Sequence, residues 1–182
     1  MTMPQPKIPE VYVVSSGRSG TTLLSSMLNA SKQIWFPLES DFIARAYPFF
    51  SDSNNIASPE SRKAIIKLFK RTTREKGWHL SEECLNNRLN EQKPQNFREI
   101  YLIICQTFHE KNKTAKLKWG IKSPVLISSL NRIFSICPNA KIIHIIRDGR
   151  DVYISYKKIH EKSKTSDIKE FDPKGIVSSA LY

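Results

Sequence analysis

A loop of small and hydroxyl-bearing residues near the N-terminus is the first candidate functional site. It reads Ser15-Ser16-Gly17-Arg18-Ser19-Gly20-Thr21-Thr22, between a short apolar run at residues 11–14 and a segment to residue 30 with apolar residues at helical spacing. Between a strand and a helix, such residues leave a row of backbone N–H groups facing outward, and the helix N-terminus adds partial positive charge. The pattern predicts a phosphate or sulfate site, with a plain tight turn as the alternative.

The loop differs from the nucleotide-kinase pattern GxxxxGK[ST] at two positions. Ser15 stands at the first glycine, and Gly20 is followed by Thr21 instead of lysine. Arg18 is the only cation in the loop. The sequence therefore predicts an anion-binding loop that is not an ATP loop of that type.

A second candidate lies at residues 145–155, Ile-Ile-Arg-Asp-Gly-Arg-Asp-Val-Tyr-Ile-Ser. Arg147 ends an apolar run, and Ser155 follows eight residues later, two turns into a predicted helix, so both can face one ligand. A guanidinium and a hydroxyl form a good fork for a terminal phosphate. The alternative is a helix-capping network of arginine and aspartate, to which we assign Arg150.

The elements that must position these motifs alternate between strands and helices. Short apolar runs at residues 11–14, 117–121 and 140–146 predict buried strands, while helices are expected at 39–50, 60–76, from 81, 96–108, 125–136 and from 147 to about 164. This alternation predicts an α/β fold with a parallel sheet. We expect a helical insertion at 52–113 within a single domain over 1–182 that is incomplete at its C-terminal end.

Composition narrows the class of protein. The 182 residues are 40% hydrophobic and 25% charged, which excludes wholesale disorder, collagen and coiled coils, and the net charge of +12 favours a polyanionic partner. No apolar run approaches a membrane span, and no signal peptide is present, so a cytoplasmic location is expected, or the Golgi lumen only if an anchor has been removed. The three cysteines lack metal-site spacing and predict reduced thiols.

Residues 17–24, Gly-Arg-Ser-Gly-Thr-Thr-Leu-Leu, resemble the 5′-phosphosulfate loop of sulfotransferases, in the form found in bacterial members and protein-tyrosine sulfotransferases. The resemblance implies a P-loop-like three-layer sandwich with a central parallel sheet. It also implies that 3′-phosphoadenosine 5′-phosphosulfate (PAPS) is bound by Gly17, Arg18, Ser19, Gly20, Thr21 and Thr22. Arg18 would neutralise charge on the leaving phosphate.

The second motif resembles the 3′-phosphate segment of the same family, which implies that Arg147 and Ser155 grip the 3′-phosphate. The two motifs occur in the family's order, and their joint occurrence is far more specific than either alone. The resemblance is concentrated in residues 11–41 and 117–156.

Two further residues gain roles from this resemblance. Glu39 lies twenty-one residues after Arg18, where protein-tyrosine sulfotransferases carry the general base, with Asp41 as its rival. The alternative is a helix-start carboxylate stabilised by the helix dipole. Lys122, in Lys-Ser-Pro, resembles the family's Lys-x-Pro segment and would stabilise the transferring group, or else is one surface lysine among many. All four histidines lie outside these motifs.

The resulting hypothesis is in-line sulfuryl transfer from PAPS to a hydroxyl, which releases adenosine 3′,5′-bisphosphate and uses a carboxylate base without a metal. The acceptor class stays open among glycan, lipid, small molecule and peptide tyrosine. Two alternatives are a P-loop kinase-like phosphotransferase, which would need a loop lysine, and a non-catalytic polyanion binder. No nucleic-acid signature appears, so nucleic acid is not expected as a partner.

Overall fold

The structure is a computed structural model that describes residues 8–31, 33–51, 56, 58–73, 78–112 and 118–164, with side chains to residue 161. Its described part contains a four-stranded sheet and seven α-helices. The strands are β1 Val11–Ser15, β2 Ile34–Trp35, β3 Lys118–Lys122 and β4 Lys141–Ile145. The helices are α1 Thr21–Ala30, α2 Phe42–Phe50, α3 Pro59–Thr72, α4 Glu82–Gln92, α5 Phe97–Asn112, α6 Leu130–Ile136 and α7 Gly149–Lys164, with a 3₁₀ helix at Pro124–Ser129.

The sheet is parallel throughout, in the order β2-β3-β1-β4. Val13 of β1 is in register with Lys122 of β3, and Ser15 is in register with Ile145 of β4. The carboxyl ends of β1, β3 and β4 therefore lie at one edge of the sheet, where open α/β folds bind their ligands. The predicted α/β class with a parallel sheet is confirmed.

Strand β1 is buried on both faces, which explains its continuous apolar run. Tyr12 and Val14 face the larger core, built with α2 to α6, while Val11 and Val13 join Phe36 in a smaller core that packs against α1. Helices therefore cover both faces of the sheet, as the three-layer prediction requires.

Helices α3, α4 and α5 lie between β2 and β3, within the segment predicted to be helical. Ser58 and Ser81 cap α3 and α4, each accepting a bond from the backbone N–H three residues later. An aromatic cluster ties these helices to the sheet: Phe69 and Phe108 both pack on Trp78, and Phe108 also packs on Trp119 of β3. This cluster fixes the helical segment against the strand that carries Lys122.

Three predicted elements differ in the structure. The strand at 140–146 is not fully buried: β4 is the outer strand, paired only with β1 among the described strands, and Ile143 is 36% exposed. Helix α2 begins at Phe42 instead of residue 39, because the preceding residues pair with the end of α3. The stretch after Pro124 starts as a 3₁₀ helix, in which the Leu126 N–H bonds three residues back to Ser123.

The three thiols are free: Cys105 and Cys137 are buried, and Cys84 is half-buried. In the portion of the chain that the structure describes, no helix combines the length and apolar character needed to cross a bilayer. Likewise, the described His, Cys, Asp and Glu side chains form no cluster able to hold a metal ion.

Candidate active site

The loop from β1 to α1 is shaped by two residues in the left-handed region, Arg18 at φ 65° and Gly20 at φ 92°. A non-glycine residue in this region is unfavourable unless its surroundings impose it. The Ser16 and Ser19 hydroxyls, 2.8 Å apart, close the loop on itself. Gly20 is the N-cap of α1, so no side chain at that position accepts from the first N–H groups, and the first turn holds no acidic residue. The N-terminus of α1 therefore presents backbone donors and positive potential to an anion.

The second motif meets this loop directly. Arg18 Nε donates to Ser155 Oγ of α7 at 3.1 Å, and Arg147 Nη1 donates to the Arg18 carbonyl oxygen at 3.1 Å. Arg147 also lies 3.5 Å from the carboxylate of Asp151. Arg18, Arg147 and Ser155, predicted from two distant motifs, thus form one connected group that carries two guanidinium ions.

Arg150 is turned away from this group, as the sequence predicted. Its guanidinium pairs with Asp148 at 2.6 Å, and the Asp148 carboxylate also accepts from the Arg150 backbone N–H. These hydrogen bonds lower the pKa of the Asp148 carboxyl. The pair caps the start of α7, and Arg147 is the arginine of the second motif that contacts the loop.

Tyr156 is a site residue that the sequence analysis missed. Its hydroxyl packs on Gly17 so closely that a Cβ added to Gly17 would lie 1.9 Å from the Tyr156 oxygen. Burial raises the pKa of this hydroxyl, while the positive charge of Arg18 partly offsets the effect. Its position directly after Ser155 is the only hint of a role in the site. Adjacency in sequence does not indicate that its side chain contacts a loop far away in the chain.

Lys122 links the loop to the predicted base. It ends β3, is only 8% exposed, and its Nζ lies 2.7 Å from Glu39 Oε2 and 3.4 Å from Thr22 Oγ1. The alternative of an ordinary surface lysine is therefore wrong. The alternative of Glu39 as a helix-start carboxylate also fails, because α2 begins three residues later at Phe42.

Asp41 is held apart from this pair. Its carboxylate accepts a hydrogen bond from the Ser123 hydroxyl, so consecutive residues of the β3 end anchor the two acidic side chains. The residue between them, Ser40, forms a bridge with Thr73 at the end of α3, and the two hydroxyls are 2.8 Å apart. Glu39 is thus positioned by β3 on one side and by the helical segment on the other.

An open cleft of about 640 Å³ borders this arrangement. Its described lining residues come from the segment between β2 and α2, from α2 and from the end of α3: Glu39, Asp41, Arg45, Leu68, Arg71, Thr72 and Thr73. The chemistry available is anion binding at the loop, with a carboxylate and a buried lysine between the loop and the cleft.

The predicted site residues therefore lie at the carboxyl edge of the sheet, and six of them form two adjoining hydrogen-bonded groups. One group joins Arg18, Arg147 and Ser155, and the other joins Thr22, Lys122 and Glu39. Both groups meet at the same loop. Their individual roles in binding and catalysis stay predictions.

Comparison with known proteins was made against families, curated sequences and solved structures. A family model described as "Sulfotransferase family" matches residues 9–177. A similar solved structure is the "Sulfotransferase Domain from the Curacin Biosynthetic Pathway", with 20% sequence identity and a TM-score of 0.52 over 93% of this chain. This chain spans 58% of the length of that chain, and at 20% identity the likeness supports the fold alone. No matching relative was found among curated proteins.

Proposed function

Because this chain belongs to the sulfotransferase family, we propose that it transfers a sulfuryl group from PAPS to a hydroxyl acceptor. The observation that carries this proposal is the position of Lys122. Its ammonium group lies within reach of both the predicted base, Glu39, and the predicted donor loop, at Thr22. A single lysine there can orient the carboxylate and stabilise charge on the oxygen that bridges sulfur and phosphate.

The residues present fit a bisphosphorylated nucleotide donor. The uncapped N–H groups of α1 and the Arg18 guanidinium suit a 5′-phosphosulfate, and Arg147 and Ser155 suit a second phosphate. PAPS, when bound, supplies the sulfuryl group and the phosphate that leaves with its electron pair.

Individual residues of the chain would then have separate roles in the transfer. Glu39 accepts the proton of the acceptor hydroxyl as its oxygen forms the bond to sulfur. As the bond from sulfur to the phosphate oxygen breaks, Lys122, Arg18 and the N–H groups of α1 stabilise the negative charge that develops on that oxygen. Arg147 and Ser155 hold the far end of the nucleotide, which fixes the line of attack.

Nucleotide binding tests this proposal without knowledge of the acceptor. Adenosine 3′,5′-bisphosphate should raise the melting temperature of the protein at concentrations where adenosine 5′-phosphate does not, because only the former engages both arginines. Transfer of ³⁵S from labelled PAPS to a panel of hydroxyl compounds then tests turnover. A melting temperature that adenosine 3′,5′-bisphosphate leaves unchanged would contradict the proposal.

A further inference from the structure

The cleft beside Glu39 carries charges that the proposed transfer does not use. Arg45 lies in the first turn of α2 and Arg71 in the last turn of α3, and both line the cleft. The two helices are brought together by the bond from the Asp41 N–H to the Thr72 carbonyl, at 2.8 Å. The cleft is therefore lined by one arginine from each of two helices.

The acidic and hydroxyl groups of the cleft are already partnered. Glu39 pairs with Lys122, and Asp41 accepts from Ser123. The Thr72 hydroxyl donates to the Leu68 carbonyl at 2.8 Å, and the Thr73 hydroxyl is bonded to Ser40. Each of these side chains is thus held in place by the protein itself.

The two arginines differ from these groups. Both are exposed, and neither side chain forms a hydrogen bond or ion pair with another residue of the described part of the chain. The three cations Arg45, Arg71 and Lys122, the last of which pairs with Glu39, stand against the two carboxylates of Glu39 and Asp41, so the net charge at the cleft is positive. Guanidinium groups bind carboxylate, sulfate and phosphate through paired, charge-assisted hydrogen bonds.

We propose that the acceptor is an anionic hydroxyl compound, whose carboxylate, sulfate or phosphate group is bound by Arg45 and Arg71 while its hydroxyl faces Glu39. This inference rests on the proposed sulfuryl transfer and specifies its acceptor. The donor phosphates have a separate set of cations, Arg18 and Arg147, at the loop. The helical segment between β2 and β3 therefore selects the acceptor through the charge at the end of α3.

Matched pairs of ligands test the charge requirement. With adenosine 3′,5′-bisphosphate saturating the donor site, calorimetry compares p-nitrophenyl β-D-glucuronide with p-nitrophenyl β-D-glucoside, which differ by one carboxylate. A second pair, 4-hydroxyphenylacetate and 4-hydroxyphenylacetamide, repeats the comparison without a sugar. We expect the anionic member of at least one pair to bind about 10-fold or more tightly, in the range of a charge-assisted pair.

The variant that removes both guanidinium groups, Arg45→Gln with Arg71→Gln, should reduce this preference to less than about 2-fold. Lys67→Gln is the matched control, because Lys67 is an exposed cation of α3 outside the cleft lining, and it should leave the preference unchanged. Equal or absent binding of both members in both pairs overturns the inference, as does a preference that survives in the double variant. Failure of adenosine 3′,5′-bisphosphate to bind would instead contradict the proposed function, so the two failures are distinguishable.

Discussion

The Nε atom of Arg18 donates a hydrogen bond to the hydroxyl of Ser155 at 3.1 Å, across 137 residues of sequence. The first residue is predicted to bind the 5′ end of the donor and the second its 3′-phosphate. Arg147 completes the link by donating to the Arg18 carbonyl oxygen. The two proposed anion sites therefore adjoin each other through one hydrogen-bonded network.

Replacement of Arg147 should discriminate between nucleotides. Arg147→Ala removes the proposed partner of the 3′-phosphate, a contact worth about 1.5–3 kcal/mol. Binding of adenosine 3′,5′-bisphosphate should weaken by about 10- to 100-fold in calorimetry, while binding of adenosine 5′-phosphate changes little. Arg150→Ala is the control, because Arg150 pairs with Asp148 and should leave both affinities intact. Equal losses for both nucleotides would show that Arg147 only supports the loop.

Replacement of Glu39 should separate binding from turnover. Glu39→Gln keeps the shape and can still face Lys122, but it cannot accept the acceptor's proton. Turnover should fall by about 10²–10⁴-fold while donor binding stays near normal. Asp41→Asn is the comparison, and it should be milder because Asp41 is bonded to Ser123, away from Lys122. Near wild-type turnover in Glu39→Gln would rule out this residue as the base.

Replacement of Lys122 should destabilise the fold, because Lys122 forms an ion pair with Glu39, the predicted base. Lys122→Met leaves the partly buried carboxylate of Glu39 without its cation, and should lower the free energy of unfolding by about 1–3 kcal/mol. Adding Glu39→Gln should recover part of this loss, so that the double variant is less destabilised than the sum of the two single variants. Lys118→Met, at the exposed start of β3, should have little effect. Simple additivity in denaturant unfolding would mean that the pair does not interact.

Gly17 should tolerate no side chain while Tyr156 is present. In Gly17→Ala the new methyl group meets the Tyr156 hydroxyl, and shifting the half-buried ring or the loop should cost about 1–3 kcal/mol and weaken nucleotide binding. Tyr156→Phe removes the closest atom and should restore most of the loss in the double variant. Gly149→Ala should be neutral or slightly stabilising, because nothing lies within 4 Å of its added Cβ. An unrescued Gly17→Ala would show that the loop itself, and not the tyrosine, requires glycine.

Alkaline pH should destabilise the fold through a buried cluster. Burial raises the pKa of Cys105, Tyr12 and Tyr101 above their ordinary values of 9.0 for cysteine and 10.0 for tyrosine. In the unfolded chain these groups lose their protons near those values, whereas in the folded protein they stay neutral. Stability is therefore retained below about pH 9 and falls as the pH rises further.

Melting temperatures between about pH 7 and 10 measure this effect. Cys105→Val should flatten the decline, since it removes one group whose pKa differs between the folded and unfolded states. Cys84→Ser is the control, because Cys84 is only half-buried, and it should leave the slope unchanged. An identical slope in Cys105→Val would contradict the role of the buried thiol.

Local patterns were sufficient to predict the approximate positions of the helices, of strands β1, β3 and β4, and of the loop after β1, but not strand β2. The apolar run of β1 and the small residues that follow it carry their structural preferences in themselves, as do the serines that cap α3 and α4. The burial of a strand, in contrast, depends on its neighbours in the sheet. The sequence of β4 resembles a buried strand, yet its place at the outside of the described sheet leaves Ile143 partly exposed.

Long-range contacts in the site were equally hidden. The burial of Lys122 depends on Glu39 and Thr22, which reach it from other elements. The contact of Tyr156 with Gly17 depends on how α7 packs across the loop. Neither contact leaves a periodic or compositional signal, because each is created by the folded arrangement of segments far apart in the chain.

The central place of β1 also has a consequence for how the molecule is made. Both of its hydrogen-bonding neighbours, β3 and β4, come from the second half of the chain. During synthesis β1 leaves the ribosome well before β3 and β4, so the backbone donors and acceptors of both its edges stay unpaired until those strands follow. Such non-local pairing gives a high contact order and slow folding. An apolar strand is therefore exposed until β3 and β4 have been synthesised, and in that interval chaperone binding and aggregation compete with folding.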